Sequence, residues 1–296
     1  MLLSTVAIAD AVGIGYEYRS KEYIEERKNN LLVYGPHQLG ELGAGMYSDD
    51  TQQSIALAEY LLEDHKHPYD QHKLASKFLE VFNRDKRKGY SKSFQALLES
   101  VKDTDEFLDR IFLFGKSESN GAAMRAGVIG LHQDLEFVKA FSKFQAKLTH
   151  QGTAVLAAQA AALSVYYFKN CLGFPSDLPE FLNRELEVNE DWTWDGRRVS
   201  SKENLGLKTV KAAIHAVLTT RTFTECLYKC IYWGGDTDSV AAIAAAISSV
   251  NQFHENDIST NLIVGLEPNN ESYGLDFLVS MDAKLNRKFK VYVSNR

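Results

Sequence analysis

The chain has 296 residues, 45% of them hydrophobic and 24% charged, and a formal net charge of -6. This is enough apolar material for a sizeable core and enough length for one large domain or two small ones. The mildly acidic balance excludes a general affinity for nucleic acid, which needs a basic surface.

The apolar opening, Met1 to Gly15, carries Asp10 inside the run and has no basic leader. It is too short and too Gly-rich for a membrane span, and it lacks the pattern of a signal peptide. Glu17 follows Asp10 by seven residues, two turns on if the segment is helical. From Gln52 to Glu63 the apolar residues Ile55, Ala58, Leu61 and Leu62 form one helical stripe. Asp50 with Gln53 fits a capping box at its start. Residues 71–82, 91–101 and 105–114 repeat the helical period, and 128–148 reads as two helices. The basic run Arg84-Asp85-Lys86-Arg87-Lys88 between them reads as a solvated helix end or loop.

Gly152 to Phe168 is Ala-rich and nearly uncharged, which predicts a central buried helix. The polar, Trp-bearing stretch from Pro175 to Asn204 has little period and reads as a long surface excursion near a site. Helices follow at 207–218 and 223–233. Ser239 to Val250 is a second small-residue helix. Lys288 to Ser294 alternates weakly, as a short terminal strand would. The three cysteines, Cys171, Cys226 and Cys230, make a poor disulfide framework and are expected to be buried, reduced thiols in a cytoplasmic protein. No break resembles a domain linker and no repeat is present. The expected fold is all-α, a single domain over 1–296, with Ala-rich helices at the centre.

Two acidic clusters carry the chemistry. Ser48-Asp49-Asp50-Thr51 and Gly234-Gly235-Asp236-Thr237-Asp238-Ser239 each set carboxylates and hydroxyls just before an apolar helix. Capping explains one such side chain per helix, yet each cluster supplies several. Carboxylates brought together without a cation repel strongly, and oxygen-only ligands suit hard divalent ions. Asp10 alone reads as a hydrogen-bonded structural residue. Asn120 to Gly127 reads as a tight loop with backbone donors for a phosphate, and Arg125 can pair with phosphate or brace a carboxylate. His150 heads the Ala-rich helix, where a lone histidine is usually structural.

Taken in order, these segments resemble the ADP-ribosylglycohydrolase family. The resemblance rests on Asp10…Glu17, Ser48-Asp49-Asp50-Thr51, Asn120-Gly121…Met124-Arg125, Thr149-His150 and Gly234 to Ser239, with Leu262 to Leu285 similar to the family's C-terminal tail. It implies an orthogonal helical bundle holding two divalent cations, Mg2+ or Mn2+. By the same resemblance Ser48, Asp49 and Asp50 bind one ion, Asp236 and Ser239 bind the other, and Asp238 bridges them. It implies a hydrolase that cleaves the glycosidic bond between ADP-ribose and a modified side chain or related conjugate; the alternative is a non-catalytic ADP-ribose-binding member. Asp49 or Asp50 is expected to orient the attacking water, with Glu17 handling a proton or gating the site. Asn120, Gly121, Met124 and Arg125 are expected to hold the diphosphate and His150 to line the cleft. The position where the family usually has Gly before the first Asp is Ala9 here, and Ser239 replaces a usual Thr. Tyr16, Trp192, Trp194 and Trp233 are the aromatic candidates for stacking adenine. The expected partners are an ADP-ribosylated protein or a small ADP-ribose conjugate, with no membrane, and the protein is expected to act as a monomer.

Overall fold

A computed structural model describes residues 1–64, 69–189, 192–200 and 206–290. Among the described residues fifteen α-helices follow in chain order. They are α1 (Leu2–Gly13), α2 (Lys21–Glu26), α3 (Asp49–Leu62), α4 (Gln71–Arg84), α5 (Lys92–Ser100) and α6 (Thr104–Phe114). The four-residue α7 (Gly121–Met124) precedes α8 (Leu135–Thr149) and α9 (Thr153–Lys169). Then come α10 (Leu178–Glu185), α11 (Gly206–Leu218), α12 (Phe223–Trp233), α13 (Thr237–Ser248), α14 (Thr260–Val264) and α15 (Leu275–Phe289). Two 3₁₀ turns lie at Ala126–Leu131 and Pro175–Asp177. Among the described residues there is no strand, only isolated bridges. The fold is all-α.

The two helices at the centre are α1 and α13, in which every residue is buried. Both are rich in alanine, and small side chains let their backbones come close. The approach is tightest at Gly13, where an added Cβ would lie 2.4 Å from the Cα of Asp238. The Thr237 hydroxyl donates to the Gly13 carbonyl at 2.7 Å across the same contact. The Ala-rich α9 packs on α8, α11 and the Ala126–Leu131 turn, and its inner face belongs to the same apolar core as α1 and α13.

The two ends of the chain meet at α1. Asp282, buried in α15, accepts from the backbone N–H groups of Leu3 and Ser4 at 2.8 and 3.0 Å and from the Ser4 hydroxyl at 2.6 Å. Those N–H groups have no partner inside a helix's first turn, and a carboxylate there is favoured by both hydrogen bonding and the helix dipole. The start of α1 is thereby set, and with it the position of Asp10 near its other end.

Several expectations need correction. The cap of α3 is Ser48, whose hydroxyl accepts from the Asp50 N–H, so the helix starts at Asp49 and Asp50 sits in its first turn. Helix α1 stops at Gly13, so Glu17 lies in the following turn rather than on a second helical turn below Asp10. Arg87 of the basic run is only 3% exposed. It is paired with Glu267 at 2.6 Å, a partner 180 positions away that no local pattern reveals. The 175–204 stretch contains α10, and its Trp194 is buried with its indole N–H on Asn183. Cys171 is exposed, whereas Cys226 and Cys230 are buried. Lys288 and Phe289 end α15, Lys290 is its left-handed cap, and 291–294 of the expected terminal strand lie outside the described residues. The break at His67-Pro68 also lies outside them. Among the described residues no helix is long and apolar enough to cross a membrane.

The α1–α13 contact gives a direct prediction. In an unconstrained helix Gly→Ala is stabilising. Gly13→Ala should instead destabilise the protein by roughly 1–3 kcal/mol through overpacking against Asp238, read as a lower urea midpoint at unchanged m-value.

Candidate metal centre

The first acidic cluster is presented by the start of α3. Asp10 reaches across from α1 and organises it. Its carboxylate accepts from the Ser48 N–H at 3.0 Å, the Thr51 N–H at 3.0 Å and the Thr51 hydroxyl at 2.6 Å. Asp10 therefore has the structural role its setting suggests, and the turn it holds is the one bearing Asp49 and Asp50. A second clamp acts one residue upstream. The Tyr47 N–H donates to Glu267 at 2.9 Å and the Tyr47 carbonyl accepts from Arg87 at 2.9 Å. The backbone entering Ser48 is thus gripped on both sides by one buried ion pair.

The second cluster is presented by the start of α13. Gly234 and Gly235 both have positive φ, 67° and 91°. A Cβ on Gly235 would lie 1.8 Å from the Val199 carbonyl oxygen, so only glycine fits. The turn is fixed by the Asp236 N–H on the Val199 carbonyl at 2.7 Å and the Tyr18 N–H on the Gly235 carbonyl at 2.8 Å. Asp236 occupies the N-cap position of α13 but makes no capping bond with its side chain. Its carboxylate instead accepts from the Asn120 side-chain amide at 2.7 Å. Simple capping does not account for this cluster.

The fold brings the two clusters together. Oxygen atoms of Asp10, Asp50 and Asp238 lie within 4.8 Å of one another, as do those of Glu17, Asp236 and Asp238. Asp238 belongs to both groups. Ser239 lies beside both Asp50 and Asp236, where the two halves meet. Burial, followed by the neighbouring carboxylates, pushes Asp49, Asp50 and Asp238 well above the ordinary aspartate range. Burial raises Asp10 and Asp236 to about 6. One oxygen each of Asp50 and Asp238 is buried with no hydrogen-bond donor among the described residues. A buried carboxylate oxygen without a donor is costly, and a hard cation satisfies it. The donor set therefore fits divalent-ion binding: carboxylates and hydroxyls only, two overlapping groups, and unsatisfied oxygens directed inward.

The remaining expected site residues fall into two sets. Glu17, Asp49, Asp50, Asn120, Gly121, Met124, His150, Asp236, Asp238 and Ser239 line one cavity of about 1040 Å³. His150 lies against Gly121, with Nδ1 at 2.8 Å from the Thr149 hydroxyl and Nε2 at 3.3 Å from that of Ser119. Burial lowers it to about 3, so the ring is neutral. Ser48 is fully buried behind the cluster, and its hydroxyl lies 3.3 Å from Asp50. Arg125 borders the cavity but is fully buried. Its guanidinium is spent on Gln145 at 2.7 Å, Thr149 at 2.9 Å and Gln53, and it stacks on Phe78. Its hydrogen bonds fix α3, α7 and α8 relative to one another beneath the site, and none of them is to a carboxylate. The aromatic candidates Tyr16, Trp192, Trp194 and Trp233 do not border this cavity; Tyr18, Tyr90 and Phe94, not singled out from the sequence, do. His37, which sequence reasoning missed, also lines it, with Nε2 at 3.2 Å from the Glu17 carboxylate. A lone Gly-Pro-His turn offers no local sign of that contact.

A family model described as ADP-ribosylglycohydrolase matches residues 2–250, most of the chain. The chain belongs to the ADP-ribosylglycohydrolase family. It is 31% identical over 270 residues to an uncharacterized protein of Archaeoglobus fulgidus, covering 84% of this chain and 85% of that one. It is 26% identical over 254 residues to ADP-ribosylhydrolase ARH3 of Homo sapiens, covering 68% of this chain and 69% of that protein. Among solved structures, an ADP-ribosylglycohydrolase-related protein complex aligns with a TM-score of 0.65 at 19% identity, over 96% of this chain and 95% of that chain. That last likeness supports the all-α fold alone.

The clamp on Tyr47 can be tested without substrate. Glu267→Ala removes one of the two carboxylates paired with buried Arg87, leaving Asp85 as its charged partner, and should cost about 3 kcal/mol in urea denaturation. A loss below about 1 kcal/mol would mean that the ion pair does not hold this backbone.

Proposed function

We propose that this chain is a hydrolase that releases ADP-ribose from a modified side chain or related conjugate, using two divalent cations, Mg2+ or Mn2+. The single domain would span 1–296. The observation that carries the reading is the pair of donor-less oxygens on Asp50 and Asp238, buried side by side at the floor of a cavity large enough for a nucleotide. At about 1040 Å³ this cavity sits at the upper end of the range for small-molecule sites, with room for a leaving group beyond the sugar.

The residue roles are those the family resemblance implies, and the grouping of the acids supports them. Asp49 and Asp50 with Ser48 would hold one ion, Asp236 and Ser239 the other, and Asp238, common to both acid groups, would bridge. Cations held there would orient the ribose diol and lower the cost of charge in the cleft. The bond to be broken joins the anomeric carbon of the distal ribose to the leaving atom, through an electron-poor transition state. Water adds its oxygen to that carbon, its proton passes to a base, and the leaving atom takes up a proton. Asp49, at the cavity edge of its cluster, suits the base that orients this water. Glu17, the most exposed acid of the group, suits exchange of a proton with the leaving group. The Asn120–Gly121 turn, Met124 and neutral His150 would bound the diphosphate. Asn120 would act there through Asp236, to which its amide is already bonded. Arg125, whose guanidinium is engaged by Gln53, Gln145 and Thr149, would support this wall from beneath.

Two outcomes follow. ADP-ribose should raise the melting temperature with Mg2+ or Mn2+ present and not in excess chelator; full protection in chelator would contradict a cation-centred site. Asp238→Ala should lower release of ADP-ribose from defined serine- and arginine-linked conjugates by ~10³-fold or more while the protein stays folded. Unchanged release, read by mass spectrometry, would remove Asp238 from the reaction.

A further inference from the structure

Glu17 sits in an awkward place for an acid. It follows the end of α1, on the turn before the left-handed Tyr18, and its carboxylate faces Asp236 and Asp238 within 4.8 Å. Like charges at that distance repel, and a glutamate has three side-chain bonds with which to swing away. Its carboxylate is met by one side chain among the described residues: His37, with Nε2 at 3.2 Å. A carboxylate only accepts when ionised, so a hydrogen bond in this contact needs its hydrogen on Nε2. The other ring nitrogen, Nδ1, is buried without a hydrogen-bond partner and points toward Glu41 at 3.7 Å. His37 is 8% exposed, whereas Glu41 stands at the solvent edge.

The imidazole is held by its own loop. The His37 N–H donates to the Leu42 carbonyl at 3.0 Å and the His37 carbonyl accepts from Gly40 at 2.9 Å. This loop is joined to the Glu17 turn. Gly15 packs on the Gly35 backbone, and the Arg19 guanidinium reaches both the Gly15 and Pro36 carbonyls at 3.4 Å. The two segments are therefore joined, and the contact between Glu17 and His37 lies beside the acid cluster.

We infer that His37 is a positioning residue: its Nε2–H holds the Glu17 carboxylate inward against Asp236 and Asp238. This rests on the reading above that the acid group binds cations. Partners of this kind set the orientation of a metal-site carboxylate and typically matter 10–100-fold.

The test is a double-mutant cycle read by Mn2+ titration calorimetry on the full chain. His37→Ala should weaken Mn2+ binding by ~10-fold or more. The same change in a Glu17→Gln background should add less than ~2-fold, because the interaction it removes is already gone. His37→Gln, whose amide N–H can reach Glu17, should stay within ~3-fold of the parent, and it keeps the test informative if the alanine variant folds poorly. An unaltered Mn2+ affinity in His37→Ala overturns the proposal. So does a loss of the same size in both backgrounds, or a glutamine variant as weak as the alanine one. No substrate enters this titration, so a parent protein that binds Mn2+ but releases no ADP-ribose counts against the hydrolase reading alone.

Discussion

Five buried aspartates and one partly buried glutamate share one small volume, and the rest of the structure is arranged around that fact. Each carboxylate has lost water and gained like-charged neighbours, so burial raises all five aspartates above their ordinary range. Such a cluster is unfavourable unless protons or cations neutralise it. The fold does not relax it by turning side chains outward. Backbone clamps hold the acids in place from several directions, which is the behaviour expected of a site whose cost is offset by a ligand.

Those clamps run from end to end of the chain. Asp282 near the C-terminus caps α1, and α1 carries Asp10 to the turn that bears Asp49 and Asp50. Glu267 and Arg87 grip the residue before that turn. Gly13 admits the backbone of Asp238, and Val199 fixes the glycine turn ahead of Asp236. The two acid clusters meet because small residues in α1 and α13 let two buried helices come close enough for their ends to share a cavity.

Helix period made most of this fold legible. Apolar stripes located α3, α4, α8, α9, α11, α12 and α13 to within a few residues, because each buries one face or is buried all round. The clusters at 48–51 and 234–239 stood out because capping uses one side chain and these stretches hold several. What stayed hidden depends on distant partners. Arg87 lies in a run of charges, and its burial depends on the distant Glu267 as well as on its neighbour Asp85. Arg125 sits in a loop-like Gly-rich stretch, yet its donors turn inward to Gln53, Gln145 and Thr149. His37 becomes part of the site only because the Gly35 and Gly15 backbones touch. Ser48 and Asp50 both carry capping chemistry, and local sequence offered little to choose between them. Membership of the ADP-ribosylglycohydrolase family agrees with the order of motifs along the chain.

The central claim is that Asp49 and Asp50 from one end of the chain and Asp236 and Asp238 from the other surround a pair of ions. Anomalous diffraction from crystals soaked in Mn2+ tests it most directly. The account predicts two peaks in the cavity, both within coordination distance of Asp238, one also beside Asp50 and one beside Asp236. A map with no peak among these carboxylates, at Mn2+ concentrations that saturate the protein in solution, would contradict it.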